Sequence, residues 1–268
     1  MADSIRAITP DAYADKAWRR YSDYRFAAGA AVVSLAGAEV SAAALELPLG
    51  FVADGETVGL VAVLGLGNGN NLFVRPDGHW AGRYVPATLR SHPFRLARGE
   101  GDALTLCFDE ASGLLAEKGA GEAFFEADGS PSPAIQQILE FAAKVSRGQD
   151  AVNAAAALLA RHNVLEPWPL KIKDGDAERD LTGLLRVNEA ALGALDDAAF
   201  LALRQGGALA LAYAQLLSMP NINLLGRLAQ AHADYLKNQA LTAAEQKAMF
   251  QATGAGDDAI DWDKVFAE

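Results

Sequence analysis

A chain of 268 residues with 51% hydrophobic and 21% charged residues has the composition of an ordinary globular protein. Its net charge of −11 excludes general affinity for nucleic acid or anionic lipid, because the whole-molecule field repels phosphate. Cys107 is the single cysteine, which excludes an internal disulfide and a cysteine-rich metal site.

Residues 1–25 are polar with interleaved Tyr13, Trp18, Tyr21 and Tyr24, and read as a short helix or an arm packed on the body. Arg19 and Arg20 precede the apolar run "FAAGAAVVSLAGA", and Ala36-Gly37-Ala38 has the small residues of a secretory cleavage site. Asp3, Asp11, Asp15 and Asp23 argue against a signal, and the run flows into "EVSAAALELPLGFV", which looks like continuing fold. The expectation is a chain that starts near Met1 and is cytoplasmic as synthesised, reaching a cell surface only by a leaderless route. No other window approaches the ~20 apolar residues of a membrane span, so no integral membrane segment is expected.

From about 30 to 126 short apolar runs ("TVGLVAVL", "NLFV", "ALTLCF") are bounded by Asp-Gly, Pro-Asp-Gly and Asn-Gly turn signals, a strand-like pattern. The glycine-rich stretch "GLGNGN" after the first run has Asn70 where a dinucleotide fingerprint needs its third glycine. It is followed by strand-like residues rather than a helix whose N-terminus could hold phosphate. It reads as a turn, with residues 58–75 forming two antiparallel strands joined at Gly67–Asn71 and binding no nucleotide.

After "DGSPSP" the period changes to helical. Ser132-Pro133 is an N-cap and first-turn pair, followed by Ile135, Ile138, Leu139, Ala142 and Val145. Asp150 is read as capping a second helix that runs to about His162, where "EPWPL" breaks it. "LKIKDGDAERDLTGLLRV" reads as two strands around an acidic turn. Helices return from Glu189 to about Ser218, divided at Gly206-Gly207; Pro220 stops that run, and Ile222, Leu225, Leu228, Ala229 and His232 carry another amphipathic face. Thr242 to Glu245 reads as a capping box opening a last helix.

The fold class is therefore α+β, an N-terminal antiparallel β-rich half with a mostly helical C-terminal half packed on it. Its divisions are an arm at 1–25, a single domain at 26–252 (β-rich to 130, mainly helical from 131, with a strand pair near 170–187), and an acidic tail at 253–268.

No chemical motif stands out. The four histidines lack zinc-ligand spacing, no nucleophile elbow occurs, and Cys107 lies in the strand-like "LTLCF", so no metal and no cofactor are expected. One stretch departs from the background. Residues 75–100 hold five arginines (Arg75, Arg83, Arg90, Arg95, Arg98) against two acids, while 101–130 hold seven acids against one lysine. The arginine island either pairs with that acidic loop or receives an anionic partner. The candidate partner-binding residues are Trp80, Arg83, Tyr84, Arg90, His92 and Arg95, the aromatics serving as stacking neighbours.

At this island the chain also resembles a known family. "NLFVRPDGHWAGRYVPATLRSHPFRLA", "LTLCFDEASG", "FFEADGSPSPAIQQILEF", "LTGLLRVNEAAL" and "AYAQLLSMPN", in that order over about residues 26–225, are similar to the SapC family of bacterial proteins. The resemblance implies a surface-layer connection, from the gene cluster that named the family. It also implies neighbours such as TonB-dependent receptors, flavin-dependent tryptophan halogenases and cupin-like oxygenases. It transfers no catalytic motif. The expected function is a non-catalytic, envelope- or surface-layer-related binding or assembly protein with a protein or peptide partner. Alternatives are an accessory protein or enzyme in a peptide or cell-envelope modification pathway, and a small-molecule carrier. A buried cleft lined by the island would favour the alternatives; an exposed aromatic-arginine face would favour the first reading.

Overall fold

The computed structural model describes residues 4–55, 57–67, 69–98, 104–174 and 177–252. The acidic tail at 253–268 lies outside the described residues. By compactness the chain divides after Leu225 into a first unit and a second, from Gly226.

The architecture is α+β, with antiparallel sheets mostly in the N-terminal half and helices in the C-terminal half. In chain order the first elements are β1 (Ile5–Ala7), α1 (Pro10–Tyr13), β2 (Lys16–Trp18), β3 (Val32–Ser34), α2 (Val40–Ala44), β4 (Leu49–Asp54) and β5 (Thr57–Val63). The segment read as an arm thus supplies strands to two sheets. β4 and β5 form a hairpin at the Asp54-Gly55 signal, Gly55 taking φ of 58°. β3 pairs with β5, and Ala27, Val33, Leu35 and Ala36 of the alanine-rich run are buried, so the run contributes to the core.

The expected hairpin across Gly67–Asn71 is not formed. β5 pairs with β4 and β3 instead; residues 72–74 make one backbone bond to β5's end, from Leu72 N–H to Leu64 O, a local bond from Val74 N–H to Asn71 O, and an isolated bridge between Val74 and Trp80. Leu72, Phe73 and Val74 are all buried, which the alternating faces of a one-sided strand do not allow. Buried Asn71 anchors the loop: its Nδ2 donates to Ala27 O at 3.1 Å and its Oδ1 accepts from Phe73 N–H at 3.0 Å. Gly65 is required, since a Cβ there would lie 1.7 Å from Asn70 O.

Next come α3 (Ala87–Arg90), β6 (Phe94–Arg98), β7 (Leu104–Asp109), β8 (Leu115–Glu117), β9 (Glu122–Ala123) and the long α4 (Pro133–Arg161). One small sheet has the order β1-β7-β6 and another β8-β2-β9. Tyr13, Trp18, Phe94, Phe108 and Phe124 pack between these sheets against Ile135 and Ala142 of α4. Ser132 caps α4, accepting from Ile135 N–H at 3.4 Å, with Pro133 in the first turn. Asp150 does not start a new helix. Nothing in its neighbourhood breaks the backbone ladder, and it pairs outward with Arg98. Gly148 interrupts the apolar face because a Cβ there would meet Ala36 Cβ at 3.0 Å, so the helix crosses the Ala36-Gly37 turn closely.

The remaining elements are β10 (Leu165–Pro167), β11 (Leu170–Asp174), β12 (Ala177–Leu181), β13 (Leu185–Val187), α5 (Glu189–Gly193), α6 (Asp197–Gln205), α7 (Ala208–Ser218) and α8 (Ile222–Ala252). A five-stranded sheet of order β10-β13-β4-β5-β3 packs on α4 and α7, and β11-β12 is a separate hairpin. Asp196 caps α6, dividing the run from Glu189 before the expected break at Gly206-Gly207.

As expected, α7 ends at Ser218 and a further helix opens at Ile222, with Pro220 between them. The proline sits in a single tight turn, Met219–Asn221, where its missing N–H costs nothing, and α8 follows directly. Thr242 lies inside α8, its Oγ1 bonded back to Asn238 O at 3.0 Å, so the expected capping box is not a start. This continuity makes Ala208–Thr242 long and apolar enough, by length and composition only, to cross a membrane, with a third of its most apolar window buried. The sequence reading, which ended the run at Pro220, passed over this window.

Candidate functional site

Among the described residues no ion pair joins the arginine island to the acidic loop. Among those residues the loop's partners are N-terminal: Arg6 with Glu110 at 3.2 Å, Lys16 with Glu117 at 3.4 Å, and Arg20 with Glu122 at 2.6 Å. The island's own pairs go elsewhere: Arg75 to Asp77 at 2.8 Å, Arg83 to Glu46 at 2.9 Å, and Arg98 to Asp150. Arg90 and Arg95 make no ion pair among the described residues. Two cations of the island are thus without an acid among the described residues, in a chain of net charge −11.

Trp80 is stacked on Phe73 with ring centroids 5.2 Å apart, and its Nε1–H donates to Tyr84 O at 2.8 Å. Arg83 runs into solvent while its N–H and Nε bond Glu46, pinning this loop to the end of α2. Tyr84 donates its hydroxyl to Glu39 Oε2 at 2.7 Å; burial, then that bond, pushes its pKa up to about 12. These residues hold the backbone that delivers α3.

Arg90 ends α3 and spreads over the rings of Tyr84, 5.9 Å away, and Phe141, 5.3 Å away. It opens onto a cleft of about 400 Å³ between the Arg90–Phe94 segment and the first turns of α4. The cleft's other walls come from β2 and the residues after it: Trp18, Arg20 and Tyr21. Aromatic surface, two guanidiniums and the polar ends of Ser91, His92 and Gln137 face it, and none of its lining residues is acidic. Arg20 is partly committed to Glu122, so Arg90 is the cation most available there. The Trp18 Nε1–H is buried and has no hydrogen-bond partner among the described residues.

His92 is half-buried, its ring stacked on Phe26 with centroids 3.8 Å apart and planes 7° apart. Burial, and to a smaller degree Arg95, pull its pKa below the usual histidine value against the opposing pull of Asp109. The unfolded chain therefore takes up this proton first, and stability is present above the unfolded value, ~6.5, and lost as pH falls through it. Melting temperature measured from pH 7.5 to 5.5 is expected to fall, and to fall less in His92→Phe.

A second cleft, of about 460 Å³, adjoins the first and shares Ser91, His92 and Phe94 with it. Arg95 lines this one. The structure therefore brings Arg90, His92 and Arg95 to the clefts, whereas Trp80, Arg83 and Tyr84 line neither. Trp18, Arg20, Tyr21, Gln137 and Phe141 belong to the first cleft and were not singled out from sequence. The interleaving of aromatic and basic residues in "WRRYSDY" was the available signal, and it was weighed only as part of a packed arm and as the flank of a signal peptide.

Cys107 is buried, and burial pushes its thiol pKa up, the setting of an inert core residue. Among the described residues no three His, Cys, Asp or Glu side chains cluster as metal ligands.

The SapC family profile matches residues 8–225. The chain belongs to the SapC family. Neither a curated protein nor a solved structure matches it. The SapC match ends where the first compact unit ends. Several segments that carried the resemblance to SapC are scaffold. In "AYAQLLSMPN", buried Gln215 accepts from Val187 N–H at 3.0 Å and donates to Leu49 O at 3.1 Å. Ser218 Oγ accepts from Leu49 N–H, and Asn221 bonds Ala44 O. In "LTGLLRVNEAAL", Asn188 caps α5 and bonds Glu166, which also pairs with Arg186. "RYVPATLRSHPF" is different: it supplies Arg90 and the shared sill of both clefts.

Proposed function

We propose that this SapC protein is a non-catalytic binding protein of envelope-related assembly, and that it grips an anionic group of a protein or peptide partner in the first cleft. The observation that carries the reading is Arg90, uncommitted to any acid among the described residues and held over two rings at the mouth of a cleft without acidic lining. A guanidinium so placed gives a carboxylate a planar, bidentate partner, with aromatic walls for the adjoining apolar group. Link to a surface layer comes from the family alone.

The enclosure of the cleft also favours the second reading, an accessory role in peptide modification, in which the same grip presents a peptide end to a partner enzyme. Both readings place the anion at Arg90.

The test is calorimetric titration with short peptides ending in a free carboxylate and with their amidated counterparts. Binding is expected for the acids, weakened about 10- to 100-fold by Arg90→Ala, from the ~1.5–3 kcal/mol of a charge-assisted bond, with melting almost unchanged. Unchanged binding with a large drop in melting temperature would refute the proposal.

A further inference from the structure

The two clefts are lined from α4 by one uninterrupted stripe. Ala134, Gln137, Ile138 and Phe141 face the first; Ala142, Val145, Ser146 and Gln149 face the second. These positions follow the three- and four-residue steps of a single helical face over four turns. Opposite them runs one continuous segment, Arg90 to Leu96, whose Ser91, His92 and Phe94 form the sill between the two hollows. From Ala134 to Gln149 the helix rises about 22 Å, the length of an extended peptide of about six or seven residues.

The groove is polarised. Arg20 and Arg90 stand at one end, the half toward Ala134. The other half exposes polar and apolar surface in about equal measure; Val33, Leu89, Leu96 and Val145 supply the apolar part, and it carries Arg95 but no acid. That far end is bridged by the bond from Gln149 Nε2 to Thr88 Oγ1 at 3.4 Å and by the pair of Arg98 with Asp150. Ser91, Gln137 and Ser146 place polar groups along it; Ser91 Oγ donates to Thr88 O at 2.9 Å and Ser146 Oγ accepts from Arg98 at 3.4 Å.

Resting on the anion-binding reading, we propose that the ligand is an extended peptide segment of a partner, about six residues long, with its carboxylate at Arg90 and apolar side chains in the second hollow. The carboxylate comes from a chain terminus or from an aspartate or glutamate; the groove chemistry is the same. A rigid helix presented by a partner does not fit a groove of two hollows separated by a sill.

The experiment uses the full chain and a positional-scanning library of fluorescein-labelled hexapeptides, made with free and with amidated C-termini. Expected is selection for an acidic residue or free terminus at one end, together with selection for small apolar residues three to five positions away. Retention of binding by amidated peptides carrying Asp or Glu identifies the side chain as the source; its loss identifies the terminus. Ser146→Phe and Gln149→Trp, each checked for unchanged melting, are expected to abolish the apolar selection and keep the acidic one. Arg90→Ala is expected to do the reverse. Selection confined to the acidic end, with dipeptides binding as tightly as hexapeptides, overturns the extended-peptide proposal and leaves the anion site standing. No selection at either end overturns both.

Discussion

Glu39→Ala is expected to destabilise the protein by about 3–5 kcal/mol, since it orphans three donors that each cost ~1–3 kcal/mol when buried and unmade. Glu39 is itself buried. Its Oε1 accepts from Ala36 N–H at 2.8 Å, and its Oε2 accepts from Ala87 N–H and Tyr84 O–H, each at 2.7 Å. Water can reach the half-buried tyrosine and relieve part of the loss, which places the estimate below a simple sum. Glu39→Gln keeps one acceptor but turns N–H groups toward donors, so an intermediate loss is expected. The effect reaches function because Ala87 opens the turn that ends in Arg90. Urea unfolding followed by tryptophan fluorescence checks the stability, and peptide affinity of the still-folded fraction checks the coupling.

Gln215→Leu is expected to cost about 2–4 kcal/mol by leaving the N–H of Val187 and the carbonyl of Leu49 unpaired in a dry interior. The ladder between β13 and β4 is short, with a single registered pair, Leu185 and Phe51. A helix side chain therefore completes what the sheet itself does not. Amide exchange should report this locally: protection at Val187 is expected to fall well before protection in the β4–β5 hairpin. Equal loss across both would mean that Gln215 acts only through global stability.

Local signals were legible where one residue type dictates one backbone shape. Asp54-Gly55 gave its hairpin, and Ser132-Pro133 opened its helix. Reading failed where tertiary packing decided between local options. Asp150 and Thr242 are cap signals in isolation, yet each helix continues because packing and backbone bonds favour continuation over the weak local preference. "NLFV" reads as a strand, but burial of consecutive residues turns it into a packed loop held by Asn71.

The candidate site was half legible for a related reason. Arg90, His92 and Arg95 are close in sequence and stood out as a charge anomaly. Trp18 and Arg20 join them only because β2 pairs with β8 and β9, about a hundred residues away, and pairing at that range leaves no periodic trace. Among the described residues the acidic loop pairs with Arg6, Lys16 and Arg20, which the N-terminal strands bring to it, rather than with the island.

The central claim is that the cleft beside α4 receives a carboxylate at Arg90. The most direct measurement is a nuclear magnetic resonance titration of the labelled protein with a hexapeptide ending in a free carboxylate, following the side-chain N–H signals. The account predicts saturable shifts of the Arg90 Nε–H and the Trp18 indole N–H, absent with the amidated peptide carrying no acidic residue. Saturable shifts confined to Arg83 and Arg75, with Arg90 and Trp18 unmoved, would contradict it.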